Sequence, residues 1–277
     1  MAEMPEGFVM RKEGESTLVL RAEVAKGLLA AGLAEPEGLR ASAHAGYEGR
    51  GRPFAVEVEG VGAVFVRPYQ HGGVLRRVTG DLYAGDGRFL DELRVLVDAD
   101  RAGVPVPEAL GVVARSAGLG LCRGWLLARE VGGARDVLAF LVGNPLATER
   151  RAVLEACGHA VRALHDAGFS HPDLHLKNLL LGPGGRVLVL DLDRVRRPGA
   201  LSRRRRLAGL FRFDRYAAKS ARRGAPVSRA DRMRVLRAYA GADWPGRAEL
   251  RELAGRLARH IGRHDALRRR AATLGTA

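Results

Sequence analysis

The chain has only two cysteines in 277 residues, Cys122 and Cys157, and neither has a second cysteine or histidine at a metal-ligand spacing. A disulfide framework and a structural zinc site are therefore not expected, which leaves ordinary packing as the role of both thiols. No apolar run approaches the roughly 20 residues needed to span a bilayer. The opening residues Met1-Ala2-Glu3-Met4-Pro5-Glu6 have neither the positive head nor the apolar core of a secretory signal, so a cytoplasmic protein is expected. Internal repeats and low-complexity blocks are lacking too. Lysine is scarce: arginine supplies 42 of the 46 basic residues, a bias that a GC-rich genome would also favour.

What is present is 47% hydrophobic residues in short runs, enough to bury one sizeable core or two lobes. The formal net charge of +15 is unevenly spread. Residues 1–190 carry 22 Lys and Arg against 23 Asp and Glu, whereas residues 191–277 carry 24 against 8. Genome bias would not confine the excess to one end, so the basic end points to an anionic partner.

The stretch richest in chemistry runs from His171 to Arg194. His171-Pro172-Asp173-Leu174-His175-Leu176-Lys177-Asn178 keeps the spacing of the kinase catalytic loop H-R-D-L-x-x-x-N, with Pro172 in place of arginine. The apolar run 179–181, the turn Gly182-Pro183-Gly184-Gly185 and the run 187–190 predict a tight hairpin that ends at Asp191-Leu192-Asp193. Phosphoryl transfer needs a carboxylate to receive or orient the attacking hydroxyl, and oxygen ligands to hold Mg2+ against the nucleotide phosphates. Asp173 suits the first task. Asn178, five residues on, and Asp191, from the far end of the hairpin, suit the second. The plainer alternative is a hairpin whose Asp and Asn side chains make turns and caps. His171 reads as a partly buried ring bonded to backbone, and His175 and Lys177 as solvated or loop-supporting rather than catalytic. Asp193 stands where D-F-G has glycine.

Residues 1–40 offer no motif. Beyond them Gly46-Tyr47-Glu48-Gly49-Arg50-Gly51-Arg52 precedes two strands, 54–58 and 62–67. Gly49 and Gly51 would let backbone N–H groups approach phosphate oxygens, and a plain hairpin turn explains them as well. Arg67 ends the second strand where a kinase keeps its phosphate-binding lysine, and its alternative is a surface arginine on an edge strand. Phe89, Leu90, Leu93, Leu96 and Val97 predict a helix over 88–102 with Glu92 beside the apolar stripe, a partner for Arg67. Two more strands follow at 111–114 and 124–128. The segment Arg129-Glu130-Val131-Gly132-Gly133 reads as a hinge whose backbone, at Glu130, could meet adenine. Thr148 is expected to cap a long helix closed by Gly168, and residues 201–221 and 230–240 read as helices.

From about Gly46 to Gly241 these residues resemble the protein-kinase-like superfamily. Within it, Val66-Arg67-Pro68-Tyr69-Gln70-His71-Gly72-Gly73 is similar to a segment of bacterial 3-deoxy-D-manno-octulosonic acid (Kdo) kinases of the lipopolysaccharide kinase family. Phe89-Leu90-Asp91-Glu92-Leu93 and Ser228-Arg229-Ala230-Asp231-Arg232 look similar to that family too. The resemblance implies an α+β, two-lobed kinase-like fold, with a small N-lobe over residues 1–130 (a mixed sheet with one helix) and a mainly helical C-lobe over 131–277. It implies phosphorylation, from ATP with Mg2+, of an inner-core lipopolysaccharide sugar, Kdo or heptose, on a lipid-linked acceptor at the inner face of the bacterial inner membrane. Asp173 would be the base, Asn178 and Asp191 the Mg2+ ligands, and Arg67 with Glu92 the phosphate-side pair.

Two other readings stay open: a kinase with a soluble acceptor, such as an antibiotic or a protein hydroxyl, and an inactive kinase fold that binds nucleic acid. The basic end favours an anionic membrane over the first. Retention of Asp173, Asn178 and Asp191 weighs against the second, so nucleic acid is not the expected partner. Residues 248–264 place Leu250, Leu253, Leu257 and Ile261 on one side and Arg251, Arg256, Arg259 and Arg263 elsewhere. That pattern suits a helix lying on a membrane, or a terminal helix packed on the C-lobe.

Overall fold

The computed structural model describes residues 4–47, 51–71, 80–197 and 199–241, and beyond them 251–252, 254–259, 262–263 and 266. The chain divides into two units, Met1–Arg101 with Pro107–Val131, and Ala102–Val106 with Gly132–Ala277. Pro105 goes with the second unit, where Val189 N–H donates to its carbonyl at 2.7 Å.

The first unit opens with β1 (Phe8–Glu13), β2 (Ser16–Arg21), α1 (Ala25–Ala30) and a 3-10 turn (Pro36–Ser42). There follow β3 (Ala45–Gly46), β4 (Phe54–Val58), β5 (Gly62–Pro68), β6 (Tyr83–Ala84), α2 (Gly87–Arg101), β7 (Ala109–Ser116) and β8 (Leu121–Arg129). The strands form one sheet in the order β1-β2-β7-β8-β5-β4-β3, with β6 on β8. The expected mixed sheet is a correction to make: its pairings among the described residues are antiparallel, and α1 joins α2 as a second helix. The first 40 residues, which offered no motif, supply two of its strands. Of β1 only Phe8 is buried and β2 is buried almost throughout, so neither shows the alternation that marks a half-buried strand.

Alternation does hold in β5, and it matters for the site. Val64 and Val66 join Leu18, Leu20, Leu28, Val113, Trp125 and Leu127 in the core on one face. Arg67 is on the other face, paired in register with Leu126 of β8. Helix α2 comes down on this second face because β8 has a glycine there. Phe89 covers Gly124, where a Cβ would lie 2.5 Å from the ring Cε1 and 2.6 Å from Cε2. Any side chain at position 124 would lift the helix away from the sheet.

The second unit contains β9 (Arg135–Asp136), α3 (Val137–Val142), α4 (Ala147–Asp166), a 3-10 turn (Leu176–Asn178), β10 (Leu179–Leu181), β11 (Val187–Val189), α5 (Arg203–Arg222) and α6 (Arg229–Ala240). Strands β11, β10 and β9 form a small antiparallel sheet. Thr148 does not cap α4: the helix starts at Ala147 after Leu146, without a side-chain cap, and Thr148 falls inside the first turn. Helix α6 packs on α4 at Gly158, where a Cβ would be 2.6 Å from Ala238 Cβ. Arg150 of α4 also grips Asp231 of α6, Nη2 to Oδ2 at 2.7 Å and Nε to Oδ1 at 3.2 Å. Ser228 and Asp231 close a capping box on α6. Burial works to raise the Asp231 carboxyl, but bonds from Arg150 and Ser228 outweigh it and hold it at about 2. The 228–232 segment is thus a helix anchor.

No helix among the described residues is long and apolar enough to cross a membrane. Leu250, Leu253 and Ile261 of the expected amphipathic stretch lie outside the described residues. Within that stretch Leu257 is buried, Arg256 pairs with Glu252 at 2.6 Å, and Arg259 and Arg263 are exposed.

Candidate active site

In the second unit the catalytic-loop segment is held by backbone hydrogen bonds and one buried ring. Helix α4 ends where Gly168 turns to φ +86° and Phe169 N–H reaches Leu164 O at 3.0 Å. Ser170 then bridges Arg196, its N–H donating to Arg196 O at 2.8 Å. His171, 2% exposed, comes next. Its Nδ1 accepts from Asp173 N–H at 3.1 Å, which fixes the hydrogen on Nε2, and Nε2–H donates to Leu190 O at 3.0 Å. One imidazole therefore ties the residue that carries the candidate base to the residue before Asp191. Burial pushes the ring's proton affinity down, against the pull of Leu190 O and of the Asp191 and Asp173 charges.

Asn178 makes the second tie. Its Nδ2–H donates to Asp173 O at 2.9 Å, and its own carbonyl accepts from Leu190 N–H at 2.9 Å. With Nδ2 turned to the loop, Oδ1 is the amide atom left for a cation. Pairing of Leu179 with Val189 brings the two ends of the hairpin level, and Asp191 follows in the left-handed region at φ +58°. Aspartate tolerates that region better than most residues, and such conformations gather at functional sites. The donor set is an amide oxygen and a carboxylate, the hard ligands Mg2+ takes, usually one or two from protein with phosphates or water supplying the rest. No group of three or more His, Cys, Asp or Glu side chains able to hold a metal exists among the described residues.

The Asp173 side chain is 73% exposed and open to an incoming hydroxyl. Lys177 is exposed, while His175 is mostly covered, stacked on Tyr216 of α5 at 4.4 Å with its Nε2 3.4 Å from Asp173 Oδ2.

In the first unit Arg67 at the end of β5 and Glu92 on α2 meet as expected, Nη2 to Oε1 at 2.5 Å, with Glu92 3% exposed. The guanidinium also lies 5.0 Å from the Tyr69 ring centroid. Glu92 Oε2 is buried without a hydrogen-bond partner among the described residues. A buried carboxylate oxygen with no donor is costly, so this one is suited to a further cation or water.

The glycine-rich segment and the hinge are both tied to neighbouring protein groups. Gly49 lies outside the described residues. Gly51, at φ +78°, packs on the end of β5, where a Cβ would be 3.0 Å from Pro68 Cβ, and its carbonyl is bonded by Arg40. That close approach to protein accounts for the glycine without a phosphate. The Glu130 side chain is clasped by the Tyr47 hydroxyl and by His44 Nε2 at 2.8 Å, and its N–H is given to Ala63 O at 3.0 Å. Burial first, and then the bond to Glu130, raises the Tyr47 hydroxyl to about 12. A purine contact at Glu130 would thus rest on its carbonyl oxygen. The clasp, the Phe89–Gly124 contact and the Tyr216 stack were all missed from sequence. Of the three, only Tyr47, embedded among the glycines, gave a local signal.

A family model, the lipopolysaccharide kinase (Kdo/WaaP) family, matches residues 38–239. A 3-deoxy-D-manno-octulosonic acid kinase of Xanthomonas oryzae pv. oryzae is 32% identical over 197 residues, 69% of this chain and 76% of that one. The enzyme of the same name from Vibrio parahaemolyticus is 29% identical over 153 residues, 54% of this chain and 62% of that one. The solved structure of WaaP in complex with acyl carrier protein superposes with a TM-score of 0.57 at 24% identity, covering 89% of this chain and 97% of that chain. With a family match over most of its length, a relative above 30% identity and a shared protein-kinase-like fold, this chain belongs to the lipopolysaccharide kinase (Kdo/WaaP) family, a family of kinases.

Proposed function

We propose that this chain is an ATP- and Mg2+-dependent kinase that phosphorylates a hydroxyl of an inner-core lipopolysaccharide sugar on a lipid-linked acceptor, with Kdo favoured over heptose because the curated relatives carry that name. The observation that carries the reading is the bracing of Asp173, Asn178 and Asp191 around one buried imidazole, in a loop whose base is left open to solvent.

Asp173 would receive the proton of the acceptor hydroxyl as that oxygen attacks the terminal phosphorus of ATP and the bond from that phosphorus to the bridging oxygen breaks, releasing ADP. Asn178 Oδ1 and the Asp191 carboxylate would hold Mg2+, and Arg67, kept in place by Glu92, would offer a fixed positive charge to nucleotide phosphates. Bound Mg2+–ATP supplies the phosphoryl group and the neutralisation of its developing charge. The protein's part is alignment, and the hydrogen bonds through His171 and Asn178 are how the second unit achieves it.

The lipid-linked acceptor and a peripheral place on the inner face of the inner membrane belong to the same proposal. They are supported by the basic end of the chain, where Arg203, Arg204 and Arg205 are exposed on α5, with Arg259 and Arg263 further on. Each basic residue near an anionic surface contributes about 1 kcal/mol, enough in number to recruit a protein reversibly.

Mass spectrometry of acceptors incubated with enzyme, ATP and Mg2+ tests the chemistry. Phosphate should appear on a Kdo-bearing lipid A precursor, and Asp191→Asn should weaken nucleotide binding mainly when Mg2+ is present. Transfer to an aminoglycoside or a protein with none to the lipid acceptor would overturn the acceptor assignment. Co-sedimentation with phosphatidylglycerol vesicles should be strong at low salt and fade as charge is screened. Failure to bind them at low ionic strength would remove the membrane half of the reading.

A further inference from the structure

His175 was set aside as loop support, yet it is the side chain that approaches the candidate base. Its ring is mostly covered, and its Nε2 lies 3.4 Å from Asp173 Oδ2, within ion-pair reach and a little longer than a formed hydrogen bond. On the opposite side nothing answers it: Nδ1 is buried with no hydrogen-bond partner among the described residues. A ring with its hydrogen on Nδ1 would bury an unsatisfied donor and turn a lone pair toward a carboxylate, whereas the other tautomer directs N–H at Asp173. Tyr216 fixes the ring plane, lying nearly parallel to it at 20° with centroids 4.4 Å apart.

We infer that His175 is a positioning residue for phosphoryl transfer. Its Nε2–H engages Asp173 Oδ2 and so leaves Oδ1 to receive the proton of the acceptor hydroxyl, while Tyr216, projecting from α5, acts as the backstop that holds the imidazole in line. This rests on the reading of Asp173 as the base. The carboxylate needs such a guide because it is largely exposed: the hydrogen bonds of the loop fix the Asp173 backbone, through its N–H and its carbonyl, and leave the orientation of the carboxylate to His175. Catalytic hydrogen bonds are commonly long before substrate arrives and tighten in the reactive complex, which is how a 3.4 Å approach becomes a working contact.

The test uses the full chain, Mg2+–ATP and a Kdo-bearing lipid A precursor. His175→Ala should lower kcat roughly 10- to 100-fold, the range set by misplacing a reacting group by about 1 Å, with KM for ATP and the Mg2+ dependence of nucleotide binding unchanged. His175→Gln, whose amide nitrogen reaches the place of Nε2, should recover much of the loss. Tyr216→Leu should lower kcat several-fold and Tyr216→Phe should not. A readout independent of turnover is the imidazole 15N spectrum, in which His175 should show the Nε2–H tautomer and shift on Asp173→Asn. A kcat for His175→Ala within twofold of wild type, equal impairment of the Ala and Gln variants, or a 15N spectrum indifferent to Asp173→Asn would each overturn the inference. Asp173→Ala separates this from the reading beneath it: turnover retained there overturns the base assignment, whereas turnover lost there and kept in His175→Ala overturns the positioning role alone.

Discussion

The two units assemble their candidate functional groups by opposite means. In the first, Arg67 and Glu92 form a charged pair with the carboxylate buried and the guanidinium half-buried, and their meeting depends on tertiary packing: β5 must present Arg67 on the face of α2, and α2 must settle onto the bare backbone of Gly124. In the second, Asp173, Asn178 and Asp191 are polar groups near the surface, set by backbone hydrogen bonds within 21 residues of chain and by the neutral ring of His171. A pair whose carboxylate is buried is sensitive to losing its cation. A hydrogen-bonded loop loses its chemistry one group at a time and keeps its fold. That difference sets what each perturbation should do.

The largest effect expected is on the loop. Asp173→Ala should reduce phosphoryl transfer by about 10²–10⁴-fold, the usual worth of a positioned base, while thermal unfolding stays near wild type because the side chain is exposed. Near-normal turnover in the folded variant would remove the residue from that role.

The same contrast explains what could be read from the sequence. The loop was legible because its spacing is local: Asn178 lies five positions after Asp173, and a glycine-proline turn fixes the hairpin register that brings Asp191 back. The Arg67–Glu92 pair was legible only as two residues of suitable type on a strand and a helix. What allows them to meet, Gly124 beneath Phe89, has no signature beyond a glycine in a strand. Strands β1 and β2 escaped notice for a related reason, since one is mostly exposed and the other almost wholly buried. Gly51 stayed ambiguous between a turn and a phosphate contact because a glycine that approaches protein and one that approaches phosphate look alike in sequence.

Removing one member of the buried pair should cost stability as well as activity. Arg67→Ala leaves the Glu92 carboxylate, 3% exposed, without its cation, and a penalty of about 3–5 kcal/mol in unfolding free energy is expected. Replacing both with alanine should cost less than the sum of the two single changes, and activity should likewise fall little below that of the worse single variant. Strictly additive losses in denaturant melts and in turnover would show that the residues act apart and erase the contrast between the units.

The smallest effect sharpens the comparison from the other side, because the second unit relies on imidazoles that must stay neutral. His165, on α4, is buried against Tyr239 at 3.0 Å and under Gly209, where a Cβ would lie 2.7 Å from its Nε2. Burial first, then the nearby charge of Arg206, lowers its proton affinity to about 4 from 6.5, with Asp166 opposing and His171 adding to the shift. Between those values the unfolded chain binds a proton that the folded one refuses, so stability is complete above about pH 6.5 and declines as pH falls toward 4. The full shift amounts to something on the order of 3 kcal/mol, and the lowered affinity of His171 adds to the decline in the same direction. Thermal melts of the whole chain across this interval should show the slope, and His165→Gln should flatten part of it. Amide exchange should place the acid-induced opening in α4, α5 and the catalytic loop while the β5–α2 contacts stay protected. A flat profile from pH 6.5 to 4, or opening that starts at Arg67 and Glu92, would mean that the neutral rings are not what holds the second unit together.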